Sequence, residues 1–299
     1  MVRYKDLIEY LNNHGISFRT DALGRDITTF KIGGPIPVLA EPKTVEEAFL
    51  VIDYARRNGI GHFVIGNGSN LLIPDEGADM LFIRLTGRLE EYSLNGGILT
   101  CGAGASMAAV SKYAVASGLM GLEWAAGIPG TVGGAVAMNA GAYGGEISQV
   151  LKRVTVCSGG RLYLVEPKEG DLGYRRSAYS FPNAVVLEAE FSLQPDDGGA
   201  KARMEEYSAR RRDKQPLAFP SAGSTFKRPQ GHFAGALIEQ AGLKGYSVGG
   251  AQVSEKHAGF VINTGGATFA DVMSVIEHVR NVVYESSGVM LEPEVKILK

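Results

Sequence analysis

Residues 118–145, GLMGLEWAAGIPGTVGGAVAMNAGAYGG, hold nine glycines in 28 positions, and no other stretch restricts the fold as much. Flexible linkers are Gly/Ser-rich and lack large apolar side chains. Here Leu122, Trp124, Ile128, Val132, Val136 and Met138 are interleaved with the glycines, and Glu123 is the single charge. The pattern predicts an ordered, largely buried loop whose main chain passes close to something. Glycine reaches positive φ and lets a ligand approach the backbone N–H groups, which suits an anion. Each glycine taken alone is as well explained by a tight turn. The run as a whole favours a phosphate-bearing ligand.

A shorter run upstream, Ile65 to Leu72 (IGNGSNLL), strengthens that expectation. Gly66, Asn67, Gly68, Ser69 and Asn70 follow the short apolar strand His62–Ile65 directly. They match neither the GxGxxG dinucleotide fingerprint nor a Walker A loop. They form a turn of small side chains rich in N–H donors, which suits a pyrophosphate. Asn-Gly turns also arise for structural reasons alone. Paired with Gly127, Ile128, Pro129, Gly130, Thr131, Gly133 and Gly134, this run becomes one of two nests able to hold the two ends of a long cofactor.

Any anion binding must come from such local arrangement. The net charge is −2 and the pI about 6.2, which excludes a global electrostatic case for nucleic acid or an anionic membrane. No apolar run approaches transmembrane length, and the N-terminal MVRYKDLIEYLNNHG is an amphipathic helix rather than a signal peptide. A cytoplasmic location is expected. Cys101 and Cys157 lie far apart, with no CxxC spacing, and predict reduced buried thiols. His14, His62, His232, His257 and His278 form no HxxxH or HxH pair, so no metal site is expected.

Along the chain, residues 3–13 predict a helix with Leu7, Ile8 and Leu11 on one face. Thr44, with Glu47 three residues on, predicts a capping box ahead of a helix to Arg57. Strands are predicted at 37–40, 62–65 and 80–85, giving a small β-α-β-β unit. Residues 98–101, 154–157, 162–165 and 185–193 read as further short strands, with a helix at 106–117. Gln194 to Gly199 is the clearest boundary. Beyond it, helices are predicted at 200–213, 233–240 and, capped by Thr268, 268–284, with strands at 259–262 and 291–298.

At this point the residues carry a resemblance. FKIGGP (30–35), IGNGSNLL (65–72), GIPGTVGGAVAMNAGAYGGEI (127–147), YRRS (174–177), KQP (214–216), GSTFKRP (223–229), AGALIEQAG (234–242) and LEPEVKIL (291–298) resemble the UDP-N-acetylenolpyruvoylglucosamine reductases, in order and over nearly the whole chain. The resemblance implies an α+β fold: a two-subdomain FAD-binding domain of the vanillyl-alcohol-oxidase type, residues 1–87 and 88–196, followed by an α+β substrate domain, residues 197–299. It also implies non-covalent FAD, NADPH as hydride donor, and reduction of UDP-N-acetylglucosamine enolpyruvate to UDP-N-acetylmuramate in a monomer or weak oligomer.

Reduction beside a carboxylate builds enolate charge, so donors must be preorganised at that carboxylate and a proton donor must reach C2. The resemblance places Arg175 at the carboxylate, Ser224 as proton donor and Glu294 as the catalytic glutamate. Tyr143, Tyr174, Lys214 and Arg228 then line the substrate site, with Lys214 at the diphosphate. The residues alone would leave Arg175–Arg176 as a surface pair, Ser224 as a turn serine and Glu292 indistinguishable from Glu294. Arg228 departs from the asparagine of many relatives. The interval between Arg175 and Lys214 is too short for the tyrosine-bearing loop of some members, so a shorter subtype is expected. Two other functions fit the nests: a flavin-dependent sugar or alcohol oxidase of the same superfamily, and a non-catalytic nucleotide-binding module. GSTFKRP, YRRS and EPEVK fit only the reductase.

Overall fold

The computed structural model describes residues 2–180, 182 and 184–298. By its contacts the chain forms two compact units. The first comprises the chain up to Thr20, Pro37–Gly66 and Asp79–Arg210. The second comprises Asp21–Ile36, Asn67–Ala78 and residues 211–298.

Among its described residues the first unit contains two sheets of more than two strands. One orders its strands Ser17–Arg19, Val38–Glu41, Leu81–Arg84, His62–Ile65, and the last three run parallel. Val38, Leu39, Ala40, Leu81, Phe82 and Ile83 are all buried, the continuous apolar pattern of parallel strands covered on both faces. Helices Val2–Asn13 and Val45–Arg57 contribute Leu7, Leu11, Ala48, Val51 and Ala55 to the same core. Half of the expected capping box forms: the Thr44 hydroxyl accepts from Glu47 N at 3.2 Å. The Glu47 carboxylate instead accepts from Lys43 N at 2.7 Å, one residue further back.

The other sheet is antiparallel: Arg161–Val165, Leu151–Ser158, Val185–Ser192, Ile98–Gly102, Tyr92–Asn95. Helices Met107–Ala116 and Val132–Ala137 bury Met107, Val110, Val132 and Val136 in its core, and Val132–Ala137 packs on the central strand Val185–Ser192. Cys101 and Cys157 are buried here as free thiols. Burial pushes them up to about 12 and about 11, so neither supplies a thiolate near neutral pH.

The second unit is built on the helix Phe269–Ser287, whose Val272, Val275, Ile276, Val279 and Val283 are buried with Phe30, Ile32 and Leu72. Thr268 and Asp271 form a complete capping box, and Gly288 ends the helix at φ 72°. The helix Ala234–Gln240 and a three-stranded antiparallel sheet, Ser247–Val248, Ala251–Val253 and Val261–Asn263, complete the unit.

The predicted strand over 291–298 shrinks to Lys296–Ile297, which pairs in parallel with Leu71–Leu72. Pro293 makes only an isolated bridge with Phe226, because a proline has no N–H to continue a ladder. Strands Ser17–Arg19 and Tyr92–Asn95 escape prediction: both are short, and neither is fully buried. Among the described residues, no helix is long and apolar enough to cross a membrane. None of their His, Cys, Asp and Glu side chains form a group of three able to hold a metal.

Candidate active site

In the first unit the two glycine runs meet. Gly66 follows the strand His62–Ile65, and a Cβ placed on it would lie 2.4 Å from the Thr131 hydroxyl. Thr131 caps the six-residue helix Val132–Ala137 by accepting from Gly134 N at 3.3 Å. The main chain around it is tied down: Val132 N donates to Ala105 O at 2.9 Å, and Gly133 N to Ala103 O at 2.8 Å. The amides of residues 132–134 therefore have acceptors within the fold.

Gly133 is required by packing, since its Cβ would fall 2.8 Å from that of Ala103. Gly134 differs. It is exposed, and its Cβ would meet nothing closer than 3.5 Å. Glycine in a helix is destabilising by roughly 0.5–1 kcal/mol relative to alanine. The described contacts supply no steric reason for Gly134. Gly127, Ile128 and Gly130 are half-buried and Pro129 is exposed in the turn just before the cap.

Two hairpin tips of this unit carry side chains on strained backbone. Tyr143 (φ 54°) and Gly144 (φ 88°) connect Gly141–Ala142 to Gly145–Glu146. Tyr174 and Arg175 (φ 53°) connect Leu172–Gly173 to Arg176–Ser177. A non-glycine residue in the left-handed region costs on the order of 1–3 kcal/mol and marks places where presentation of a side chain matters. The Tyr143 ring stacks on Tyr207 at 4.5 Å and 3°, on the wall of a pocket of about 380 Å³ that also includes Trp124, Glu123 and Arg203. Buried Glu123 pairs with Arg203 at 2.7 Å and accepts from Gly121 N.

The Arg175 hairpin is held from behind. Asp171 accepts from Lys168 N at 2.8 Å and from the Tyr179 hydroxyl at 2.7 Å. Those two bonds, the backbone one foremost, hold its carboxyl below the usual value. Arg175 is half-buried with its guanidinium 5.1 Å from the Tyr174 ring centroid. Arg176 is exposed and turns back to Gly170 O at 3.4 Å. The two adjacent arginines are thus different in kind.

The second unit gathers Ser224, Glu294 and the tail of the first glycine run. Ser224 is exposed, and the residue after it is fixed on both sides. Thr225 N donates to Gly259 O at 2.8 Å, its hydroxyl accepts from Val261 N at 2.9 Å, and its carbonyl accepts from Glu294 N at 2.8 Å. Ser224 and Glu294 therefore sit on adjacent bonded segments. The Asn70 amide donates to Glu294 O at 3.2 Å, and Asn70 O accepts from Lys296 N at 3.1 Å. Gly68, at φ 60°, has no room for a Cβ, which would lie 2.2 Å from Ile27 O. Asn67 is exposed, and the Ser69 carbonyl lies 4.0 Å from a Cβ built on Gly223.

Glu292, the rival of Glu294, is exposed and bound to Lys227 at 2.9 Å, which lowers its pKa. Lys214 ends the helix Ala200–Lys214, exposed. Arg228 is exposed with its guanidinium 4.0 Å over the Phe233 ring. The sequence reasoning passed over Asn139, a buried polar residue inside the glycine stretch, although a polar side chain among so many glycines was a signal.

Residues 35–161 match the model of an FAD binding domain, and residues 215–298 match that of the UDP-N-acetylenolpyruvoylglucosamine reductase C-terminal domain. A UDP-N-acetylenolpyruvoylglucosamine reductase from Caldanaerobacter subterraneus is 47% identical over 91% of this chain and 90% of its own. One from Limosilactobacillus fermentum is 48% identical over 91% of each chain. The crystal structure of the reductase from Thermus caldophilus superposes with a TM-score of 0.82 at 35% identity, covering 95% of this chain and 99% of that one. The fold class is the expected one, an α+β FAD-binding region followed by a distinct C-terminal domain, and the chain belongs to the UDP-N-acetylenolpyruvoylglucosamine reductase family.

Proposed function

We propose that this protein reduces UDP-N-acetylglucosamine enolpyruvate to UDP-N-acetylmuramate, a peptidoglycan precursor, with NADPH as hydride donor and bound FAD as carrier. The observation that carries the assignment of roles is the distribution of strain and exposure: Arg175 sits on left-handed backbone, and Ser224 beside the Glu294 segment. The glycine contacts fit FAD. Gly66 lies against Thr131, and exposed Gly134 leaves open space on its face of the helix. Gly66, Asn67, Gly68, Ser69 and Asn70, and residues 127–131 with Gly133 and Gly134, would hold the cofactor. When bound, FAD would supply the hydride carrier between NADPH and C3 of the enolpyruvyl group.

The chain's own residues then manage charge and a proton. Arg175 offers a planar fork to the substrate carboxylate, where negative charge grows as C3 is reduced. The Ser224 hydroxyl gives its proton to C2, completing addition of H⁻ and H⁺ across the double bond. Glu294 supports the developing enolate by a hydrogen bond. Lys214 and Arg228 bring cations to the diphosphate, and the Arg228–Phe233 stack holds one of them in orientation. Tyr143 and Tyr174 line the sugar-enolpyruvyl end. Between Arg175 and Lys214 lie the strands Arg176–Ser177, Val185–Ser192 and Gln194–Pro195 and the start of the helix Ala200–Lys214, consistent with the subtype without the tyrosine loop.

Residues 1–87 and 88–196 would be the two FAD subdomains, each with one of the sheets described, and 197–299 the substrate domain. Buried reduced thiols support a cytoplasmic location. The test is a visible spectrum under anaerobic conditions. Flavin bands that bleach with NADPH and return on adding the enolpyruvyl substrate support the reductase. Recovery only with oxygen would favour an oxidase, and a protein that takes up no FAD would remove both.

A further inference from the structure

Three described non-glycine residues of the first unit have left-handed backbone: Tyr143, Arg175 and Asn139 (φ 43°). The first two are tip residues of the proposed site. The third ends the glycine-rich helix. Asn139 N donates to Val136 O at 3.1 Å, and Ala140 N to Ala135 O at 2.8 Å, the bond pair of a Schellman cap whose left-handed position is most often glycine. In a stretch with nine glycines, a helix-ending position where glycine would relieve strain holds asparagine. The backbone therefore does not explain the choice, and the side chain must.

That side chain is 1% exposed, and both ends of its amide are used. Nδ2 donates to Gly173 O at 3.2 Å, and Oδ1 accepts from Ser148 N at 2.9 Å. Gly173 is the residue immediately before the Tyr174–Arg175 tip. Ser148 lies in the turn Ile147–Gln149, next to the hairpin that carries Tyr143. Gln149 continues the link, donating to Gly144 O at 3.2 Å. One buried amide thus joins the end of the Thr131-capped helix to both strained tips.

We propose that Asn139 is a positioning residue: its carboxamide fixes the Leu172–Ser177 hairpin, and with it the Arg175 guanidinium, relative to the glycine-rich helix. This rests on the reading that Arg175 meets the substrate carboxylate. The residue does not touch substrate in this account. It sets where the arginine can be, and a displacement of about 1 Å can cost on the order of 100-fold in rate.

The test uses the full-length holoenzyme and separates the two half-reactions. Asn139→Gly keeps the left-handed cap, removes its strain and deletes only the amide. It should retain FAD and be reduced by NADPH at the parental rate. Its reoxidation by the enolpyruvyl substrate should slow roughly 10- to 100-fold. Asn139→Asp keeps the acceptor for Ser148 N and loses the donor to Gly173, and should share the defect. In an Arg175→Ala background, Asn139→Gly should add no further slowing, because the group it positions is already gone.

Parental reoxidation in Asn139→Gly beside a slow Arg175→Ala would overturn the positioning role alone. Additive effects in the double variant would do the same. Loss of FAD, or equal slowing of both half-reactions, in both Asn139 variants would make the residue a fold element and end the proposal. A parental rate in Arg175→Ala would remove the reading of Arg175, and the proposal with it.

Discussion

The two units hold the residues proposed for function by opposite means. In the first, Tyr143 and Arg175 stand at hairpin tips on strained backbone, and side chains clamp them: Asn139, Gln149, Asp171 and Tyr179. In the second, Ser224 and Glu294 lie on irregular segments joined by main-chain bonds, Glu294 N to Thr225 O and Thr225 N to Gly259 O. A clamp of side chains can be broken by one substitution. A main-chain ladder survives the loss of any side chain that does not itself bury. The first unit's geometry is therefore open to mutation from a distance, and the second's should be less so, since the Thr225 hydroxyl and the Asn70 amide there add to main-chain bonds rather than replace them.

The largest effect expected sharpens this contrast. Ser224→Ala removes an exposed hydroxyl and leaves its neighbours' ladder intact. Substrate-driven reoxidation of the flavin should fall by roughly 10²–10⁴-fold, the usual worth of a positioned acid. NADPH-driven reduction and the melting temperature should both stay at the parental values. A lower melting temperature would mean that the second unit also relies on its site side chains.

Next is Arg203→Leu, which strips the partner from buried Glu123 beside the Tyr143–Tyr207 stack. Breaking a fully buried pair costs about 3–5 kcal/mol. Arg203 keeps 33% of its side chain exposed, so about 2–3 kcal/mol is expected, with thermal melting lowered by roughly 5–10 °C. An unchanged melting curve would show that the first unit is not held in this way.

Smaller still is Gly134→Ala. Relief of a helical glycine should stabilise the apoprotein by up to about 1 kcal/mol, while titration with FAD should reveal weaker binding. Unaltered FAD affinity would place the cofactor away from this face. The smallest effect concerns pH. The Asp171 pKa is lower folded than unfolded, so its bonds to Lys168 N and Tyr179 stabilise fully above its ordinary 3.8 and are lost as pH falls through the folded value. Unfolding between pH 5 and 2 should be less pH-dependent in Asp171→Asn than in the parent. Identical profiles would free the Arg175 hairpin from this clamp.

Much of the frame is legible in local sequence because it obeys local rules. Thr44 and Thr268 cap the helices they were expected to cap, and Gly288 ends the longest one. The motifs are what single out Arg175, Ser224 and Glu294 as candidates. What escapes is set by distant partners. Val132–Ala137 is a short helix in which Val132, Gly133, Gly134 and Val136 are poor helix formers, held by packing on the strand Val185–Ser192. Glu292 and Glu294 differ in surroundings through a partner far along the chain, since Lys227 pairs with the former. Segments 21–36 and 67–78 belong to the second unit through contacts no window of sequence contains. The left-handed turn at Asn139 follows from a helix that was itself not predicted.

The parallel pairing of Leu71–Leu72 with Lys296–Ile297 has a consequence in time. Asn70 and Glu294, bonded in the folded protein, are 224 positions apart. A ribosome delivers every segment of the first unit before residue 211, so that unit can close while synthesis continues. The segment from Asn67 to Ala78 cannot. Leu71, Leu72 and Ile73, each no more than 3% exposed at the end, must wait in the open until their partners arrive. Closure of so long a loop is slow, and for that interval this short apolar segment is the place where a chaperone would earn its hold.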